Sequence, residues 1–237
     1  MDIVTENSFK YNLKKLEPNA KEYDFIKDFF YLTTHPYVTF KNDYQLKTFR
    51  IYKVRENVTT SAEGEKRSNL MLFHGTHKEG AAGILKEGFR NSESGWFGRG
   101  VYMTDCSDTA FVYASTCRNV VDDVIGRYLS YVFVNEVLES EKLRTFTFEG
   151  HELEKDEDND AELMYPFELH VDVDSRQPGE GDYKEDSLGR KYRNIEIDPE
   201  WSHYDEFIAD EKITVPRYLI ALETVEKRRK INFSGML

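Results

Sequence analysis

Most of the regular structure predicted for this chain comes from short runs of β-branched and aromatic residues, and helical patterns rarely separate these runs. The runs have the composition of strands, and the one at 69–73 looks fully buried. Parallel strands need a crossover connection, usually a helix, and the chain shows neither that alternation nor an internal repeat. The pattern therefore predicts an α+β fold and disfavours a doubly wound one. The predicted strands are 49–54, 69–73, 101–103, 128–138, 207–209 and 218–222.

Three helices are predicted between these runs. Residues 19–32 place apolar side chains at helical spacing. Residues 79–87 fit a short helix, which Gly88 is expected to close in a left-handed conformation. Ser107 is expected to cap a third helix, which runs through Thr116, by accepting a hydrogen bond from a first-turn amide.

Length and local composition bear on domain organisation. The chain has 237 residues, slightly more than a usual single domain, and 39% of them are hydrophobic. We expect one domain over 1–237, with its core within 10–222. A polar turn is expected at 59–67. Residues 149–162 carry eight acids among fourteen positions, too many to bury, and predict either a solvated insertion or a partly disordered loop.

The balance of charge bears on partners. The formal net charge is −12, and duplex binding needs clustered Lys and Arg to neutralise phosphates, so nucleic acid is not an expected partner. The basic run 227–230 has two interpretations, a nuclear-import signal or a solvated tail. No run approaches the roughly 20 apolar residues that cross a bilayer, so no membrane association is expected.

Cysteine usage and the opening residues bear on the compartment. The two cysteines, Cys106 and Cys117, form no CxxC pair, and the opening has neither a secretory h-region nor a transit-peptide composition. A cytoplasmic or nuclear protein is therefore expected. No metal site is expected, because His74 and His77 lie three apart without an HExxH pattern and the other histidines are scattered.

Three short constellations carry residue types suited to chemistry. They are Phe-His-Gly-Thr at 73–76, Gly-Arg-Gly-Val-Tyr at 98–102 with Tyr113 beyond it, and Asp-Glu-Phe-Ile at 205–208. Each alone also fits a structural role, because aromatic residues in strands are usually core. The glycine-rich loop at 95–100 has its glycines in the reverse order of the dinucleotide fingerprint, and no helix follows it directly. That order argues against a dehydrogenase.

In this order and spacing, the constellations resemble the catalytic domain of the poly(ADP-ribose) polymerase family, with its His-Tyr-Glu signature. The resemblance covers most of 10–222 and is strongest from 72 to 113. Residues 11–30 resemble the first helix of that domain. The resemblance implies a split antiparallel β-sheet that binds NAD, with an N-terminal helix and few others. Further matching segments are 84–85, 88–90, 97–102 and 216–219.

The resemblance assigns four residues to the NAD pocket, and their chemistry suits the assignment. Gly75 would bind the carboxamide through its backbone N–H and C=O groups. Because glycine has no Cβ, its backbone can approach the carboxamide closely. Tyr113, eleven residues after Tyr102, would stack on the nicotinamide ring, and Tyr102 would form the other wall. His74 would bind the adenosine ribose, a positioning role without proton transfer.

Glu206 completes the implied catalytic set of His74, Tyr102 and Glu206. Its carboxylate would bond the ribose 2′-hydroxyl and stabilise positive charge as nicotinamide leaves. Arg90 either faces the adenosine side of NAD or is a solvated surface residue. The resemblance also counts three further residues among the positions that bind NAD: Thr76, Gly83 and Ala110.

Three features depart from the family pattern. Ala110 stands where the family has a Ser that bonds the carboxamide, and either this bond is missing or Thr109 supplies the hydroxyl. Relatives that elongate chains usually carry Lys just before that Ser, and none is present here. The spacing from Glu206 to Tyr218 is one residue short, which leaves Asp205 as an alternative to Glu206.

The function that follows is an NAD-dependent ADP-ribosyltransferase acting on a protein acceptor, which can be the chain itself. The missing Lys favours mono-ADP-ribosylation. The retained Glu206 favours the alternative, poly-ADP-ribosylation, because family members limited to single transfers often have an apolar residue in its place. A catalytically inactive binding module is the other alternative, which the intact His-Tyr-Glu set disfavours. The chain is expected to be either a complete minimal transferase or a domain cut from a longer protein.

Overall fold

A computed structural model gives the fold over ten stretches of the chain: 8–33, 44–57, 69–93, 98–116, 120–122, 127–140, 142–149, 183–185, 190–193 and 203–226. Both the predicted turn at 59–67 and the acidic segment at 149–162, except Glu149, lie outside these residues. The helices are α1 (Lys21–Leu32), α2 (Lys78–Glu87) and α3 (Ser107–Thr116), with a 3-10 turn at Glu211–Ile213. The strands are β1 (Tyr11–Lys15), β2 (Tyr44–Glu56), β3 (Asn69–Thr76), β4 (Val101–Thr104), β5 (Val120–Asp122), β6 (Arg127–Leu138), β7 (Arg144–Glu149), β8 (Tyr183–Glu185), β9 (Arg190–Arg193), β10 (His203–Ala209) and β11 (Thr214–Glu226).

The strands belong to one sheet, in the order β1-β2-β11-β6-β3-β4-β10-β7. Neighbours along this path are antiparallel. Off the path, β5 pairs with β6, and β9 pairs with β8 and, in parallel, with the start of β3. The predicted α+β class is confirmed, and all six predicted strands are present, several of them longer than expected.

The sheet is split where β3 meets β4. The two strands pair at one described position, Phe73 with Thr104, whereas β3 pairs with β6 over its whole length. One part therefore holds β1, β2, β11, β6 and β3, and the other holds β4, β10 and β7. Beyond Phe73, the edge of β3 that faces β4 has no described strand against it.

Helices cover both faces of the larger part, which explains why its central strands are apolar without alternation. On β3, Leu70 and Leu72 join a core cluster that includes α2, and Met71 and Phe73 join a second cluster that includes α1 and α3. The middle of β6 is buried on both faces in the same way, at Tyr131, Val132, Phe133 and Val134.

The N-terminal residues correct one prediction. Residues 11–15 form strand β1 and not the beginning of a helix, and the helix starts at Lys21. In β1, Tyr11 is buried and packs in the core, while its polar neighbours are exposed, a period-two pattern that suits an edge strand. The rest of the predicted first helix is confirmed, with Ile26, Phe29 and Phe30 buried.

The other two helices also match their predictions, with differences at the ends. Gly88 has φ +93° and ψ −179°, so φ is positive but the backbone is not left-handed helical, and its N–H donates to the Ile84 carbonyl oxygen. Ser107 is the first residue of α3 and not the residue before it. Its hydroxyl donates to the carbonyl oxygen of Phe30 at 2.6 Å, so it joins α3 to α1.

The helices of the described residues are too short or too polar to span a membrane.

Candidate active site

The opening between β3 and β4 brings together residues of the first two constellations. His74, Gly75 and Thr76 lie on β3 just beyond the Phe73–Thr104 pair, and among the described strands β6 alone pairs with them. Peptide groups along an antiparallel strand point alternately to its two edges. The open edge of β3 therefore offers backbone N–H and C=O groups to a ligand.

His74 spans the opening to β4. Its Nδ1 lies 2.8 Å from the carbonyl oxygen of Tyr102, and its ring packs edge-on against Phe89. A carbonyl oxygen only accepts, so Nδ1 carries the proton. Burial lowers the pKa of His74 below its ordinary value, although the same hydrogen bond works in the other direction. The ring is neutral at pH 7, and Nε2 has a lone pair for a hydroxyl donor.

Acidification should therefore destabilise the protein through His74. Because its pKa is lowered in the folded state, the unfolded chain takes up the proton first, and the free energy of unfolding falls as the pH drops below 6.5. The loss stops below the folded-state pKa, and its slope cannot exceed about 1.4 kcal/mol per pH unit for one proton. Urea unfolding between about pH 7.5 and about pH 5.5 measures this slope. An equal slope in His74→Gln would contradict the assignment.

Gly75 allows helix α3 to approach the strand. An added Cβ would lie 1.7 Å from the carbonyl oxygen of Ala110 and 3.0 Å from the amide nitrogen of Ala114. Both are backbone atoms, so no side-chain rearrangement could relieve the clash. The glycine has a structural reason besides the predicted carboxamide contact, and it fixes α3 beside the open edge of β3.

Helix α3 places the next predicted residues. Ala110 is 1% exposed, and Tyr113, one turn further along, is 54% exposed. Thr109 hydrogen-bonds the Cys106 thiol, whose pKa burial raises to about 11, so the thiol stays protonated at neutral pH. The Thr109 hydroxyl thus has a structural partner, and its predicted contact with the carboxamide stays a prediction.

The glycine-rich loop shapes the approach to Tyr102. Gly98 and Gly100 have φ of +92° and +153°, which favours glycine at both positions. The Tyr102 hydroxyl donates to the Gly98 carbonyl oxygen at 2.7 Å, which ties the ring to the loop. A Cβ on Gly100 would lie 2.3 Å from Cγ2 of Ile208, so this loop lies directly against β10.

The register of β10 relates Glu206 to Tyr102. Glu206 pairs with Thr104 on β4, and Ile208 pairs with Tyr102. Phe207 belongs to the core, and successive residues of a strand alternate between faces, so positions 206 and 208 share the other face. Directly paired residues lie on the same face, which is therefore also that of Tyr102. Asp205 lies on the same face of the strand as Phe207, opposite to Tyr102. The register therefore favours Glu206 over Asp205 as the catalytic carboxylate.

Three predicted residues have surroundings that do not by themselves indicate a contact with NAD. Thr76 is buried at the end of β3. Gly83 is on the exposed side of α2, where an added Cβ would meet no atom within 4 Å. Arg90 has a side chain that is 76% exposed and forms an ion pair with Glu87. Their roles in NAD binding stay predictions.

A second, polar feature lies across β4 from the opening and was not predicted from the sequence. A cleft of about 380 Å³ lies where β4 and β7 begin and β10 ends. We call it the cationic cleft. Its residues are scattered along the chain, and of them only Gly100, Arg99 and Ile208 fell in the predicted constellations. It is lined by Asn91, Arg99, Gly100, Lys142, Arg144, Ile208, Ala209, Asp210, Glu211 and Lys212.

Metal-binding chemistry has little support in the described part of the chain. There, no three His, Cys, Asp or Glu residues are grouped so as to hold a metal ion. The absence of a metal from the function stays a prediction.

A split antiparallel sheet, with a histidine and a tyrosine on the two strands that border its opening and a glutamate on the next strand, is the arrangement of an ADP-ribosyltransferase catalytic domain. The family model for the poly(ADP-ribose) polymerase catalytic domain matches residues 20–224. The chain belongs to this family, and the resemblance seen in the sequence is confirmed. Membership implies ADP-ribosyltransferase activity with NAD as the substrate. No curated protein matches the chain significantly.

Proposed function

We propose that this chain binds NAD in the opening between β3 and β4 and transfers a single ADP-ribose to a protein acceptor. The observation that carries the proposal is the register of β4 and β10, which puts the positions of Tyr102 and Glu206 on one face, next to the His74–Tyr102 contact. The family match supports the same reaction class.

NAD would be held by groups that border the opening. The carboxamide would bond the backbone of Gly75 on the open edge of β3, and the nicotinamide ring would lie between Tyr102 and Tyr113. Stacking on aromatic faces suits a flat cation. A ribose hydroxyl would donate to Nε2 of His74, which is supported by the proton that Nδ1 directs to the Tyr102 carbonyl oxygen.

Glu206 would carry the electrostatic part of the reaction. The bond between the nicotinamide nitrogen and ribose C1′ breaks, and nicotinamide leaves with the electron pair. The ribose becomes oxocarbenium-like, and a carboxylate bonded to the 2′-hydroxyl stabilises that charge more strongly as it develops. The acceptor then attacks C1′ and loses a proton to solvent or to a nearby base.

Mono transfer is supported by two residues of α3. Ala110 has no hydroxyl to offer the carboxamide, and Thr109 stands where relatives that elongate chains usually carry Lys. The Thr109 hydroxyl also bonds the Cys106 thiol. A helix without the lysine lacks a cation that could hold the phosphates of a previously attached ADP-ribose.

Replacing Tyr113 should weaken NAD binding. Tyr113→Ala removes an exposed ring that stacks on nicotinamide, and aromatic contacts of this kind contribute about 0.5–1.5 kcal/mol beyond their area. The KM for NAD should rise about threefold to tenfold, with a smaller change in kcat. Initial rates of nicotinamide release over a range of NAD concentrations measure this. Tyr113→Phe keeps the ring and should stay near the parent value, and a KM unchanged in Tyr113→Ala would exclude the stacking role.

The proposed reaction is tested by incubating the purified chain with NAD labelled in its adenylate, with and without candidate acceptor proteins, and resolving the products by gel. A single sharp labelled band on chain or acceptor is expected. A high-mass smear would show polymer formation and overturn mono transfer. Absence of both label and nicotinamide release would favour a binding module without catalysis.

A further inference from the structure

The cationic cleft has the opposite charge to the protein as a whole. Four of its lining side chains are cationic and two are acidic, which gives 4 − 2 = +2 in a chain of formal net charge −12. A local field of this sign attracts anions that the rest of the surface repels. The four cationic residues are Arg99, Lys142, Arg144 and Lys212.

Both acids of the cleft are engaged by backbone amides. Asp210 accepts from the N–H of Lys212, the main cause that lowers its pKa. Glu211 accepts from the N–H of Asn91, while the Asn91 side chain accepts from the N–H of Glu211. These bonds hold the acids to the rim of the cleft. Glu93, outside the lining, adds a third carboxylate, 3.7 Å from the guanidinium of Arg99, so three carboxylates oppose four cations and part of the positive charge remains.

The cleft is built on paired strands, which fix its shape. Arg144 is the first residue of β7 and pairs with Ile208 of β10, which pairs in turn with Tyr102 of β4. The Arg144 guanidinium donates to the carbonyl oxygen of Arg99 at 2.8 Å, so it bridges β7 to the loop before β4. Charged groups held in this way need little reorganisation when an anion binds.

The cleft lies beside the proposed reaction centre, on the side away from the NAD opening. Ile208 lines the cleft and is two residues from Glu206, or about 7 Å along the strand. Strand β4 separates β3, where NAD would bind, from β10. Arg144, Ile208 and Tyr102 are paired across three strands, and the row of Glu206 is the next one on the same face, so the cleft lies one row from the position of Glu206.

We propose that the cationic cleft binds a carboxylate side chain of the acceptor protein, two or three residues from the residue that is modified. The spacing follows from the distance between Ile208 and Glu206, which two extended residues span. The inference rests on the proposed function, because it names the acceptor class for the same site. Acidic segments are the acceptors it selects.

Paired variants test the cleft directly. The cleft double variant, Lys142→Gln with Lys212→Gln, removes two exposed charges from the cleft. The control double variant, Lys14→Gln with Lys27→Gln, removes two exposed charges from β1 and α1, which do not line the cleft. Both doubles change the net charge equally. Binding of a fluorescein-labelled Glu-rich peptide, and of the same peptide with Gln in place of Glu, is measured by fluorescence anisotropy without NAD. The KM values for peptide and for NAD are measured from nicotinamide release and from transfer of labelled ADP-ribose to the peptide.

The cleft double variant should bind the Glu-rich peptide about threefold to tenfold more weakly and raise its KM by a similar factor, with the KM for NAD unchanged. The control double should differ little from the parent, and salt should weaken parent binding. Equal losses in both doubles, no preference for the Glu-rich peptide, or a raised KM for NAD alone would overturn the proposal. Selective peptide binding without any transfer would contradict only the proposed function.

Discussion

Glu206→Gln is expected to slow ADP-ribose transfer about a hundredfold to a thousandfold, the usual cost of losing one preorganised group that stabilises developing charge. The amide has the shape of the carboxylate without its negative charge, so the oxocarbenium-like ribose loses its main electrostatic partner. The backbone pairing of position 206 with β4 and β7 is unaffected, so the melting temperature should be nearly unchanged.

Initial rates of nicotinamide release at saturating NAD measure this effect. Asp205→Asn is the matched control, since it makes the same chemical change one residue away, at a position with the parity of the buried Phe207. A large loss in Asp205→Asn with normal activity in Glu206→Gln would transfer the role to Asp205.

Gly75→Ala is expected to damage both folding and NAD binding. The new Cβ would lie 1.7 Å from a backbone oxygen of α3, so the helix must move away from β3. Overpacking of this kind costs about 1–3 kcal/mol of stability, and occasionally more. Because α3 carries Tyr113, its displacement should also raise the KM for NAD about tenfold or more.

Gly83→Ala is the control that separates the steric clash expected at Gly75 from the effect of replacing any glycine by alanine. Gly83 lies in α2 with open space around it, and Ala should stabilise an exposed helix position by about 0.5–1 kcal/mol. Chemical denaturation and NAD kinetics are measured on both variants. A Gly75→Ala protein as stable and active as the parent would refute the close contact, and a raised KM in Gly83→Ala would support the cofactor role assigned to Gly83.

The central strands were predictable because their signal is local. Runs such as 69–73 and 128–138 are apolar enough to be predicted as buried strands from local composition alone, and in the structure both faces of these strands are buried. Edge strands carry a weaker signal. Strand β1 has two apolar residues among five and was placed in a helix, and β7 was overlooked although Thr and Phe alternate in it. A period-two count over 144–149 would have found β7.

The family could be predicted from the sequence, but the surroundings of the candidate site could not. The order of His74, Tyr102 and Glu206 along the chain carried the family resemblance, which the family match confirms. Long-range pairing brings Ala110 close to Gly75 and puts Lys142 and Lys212 in the same cleft. Local composition predicts neither of these contacts. Ser107 is similar, since its partner Phe30 lies 77 residues away.

The most direct test of the proposed NAD site is a crystal structure of Glu206→Gln with NAD, because the slow variant should hold the intact substrate. We expect the nicotinamide between Tyr102 and Tyr113, its carboxamide bonded to the backbone of Gly75, and a ribose hydroxyl on Nε2 of His74. NAD bound elsewhere, for example with its phosphates in the cationic cleft and its nicotinamide away from Gly75, would contradict the proposed site.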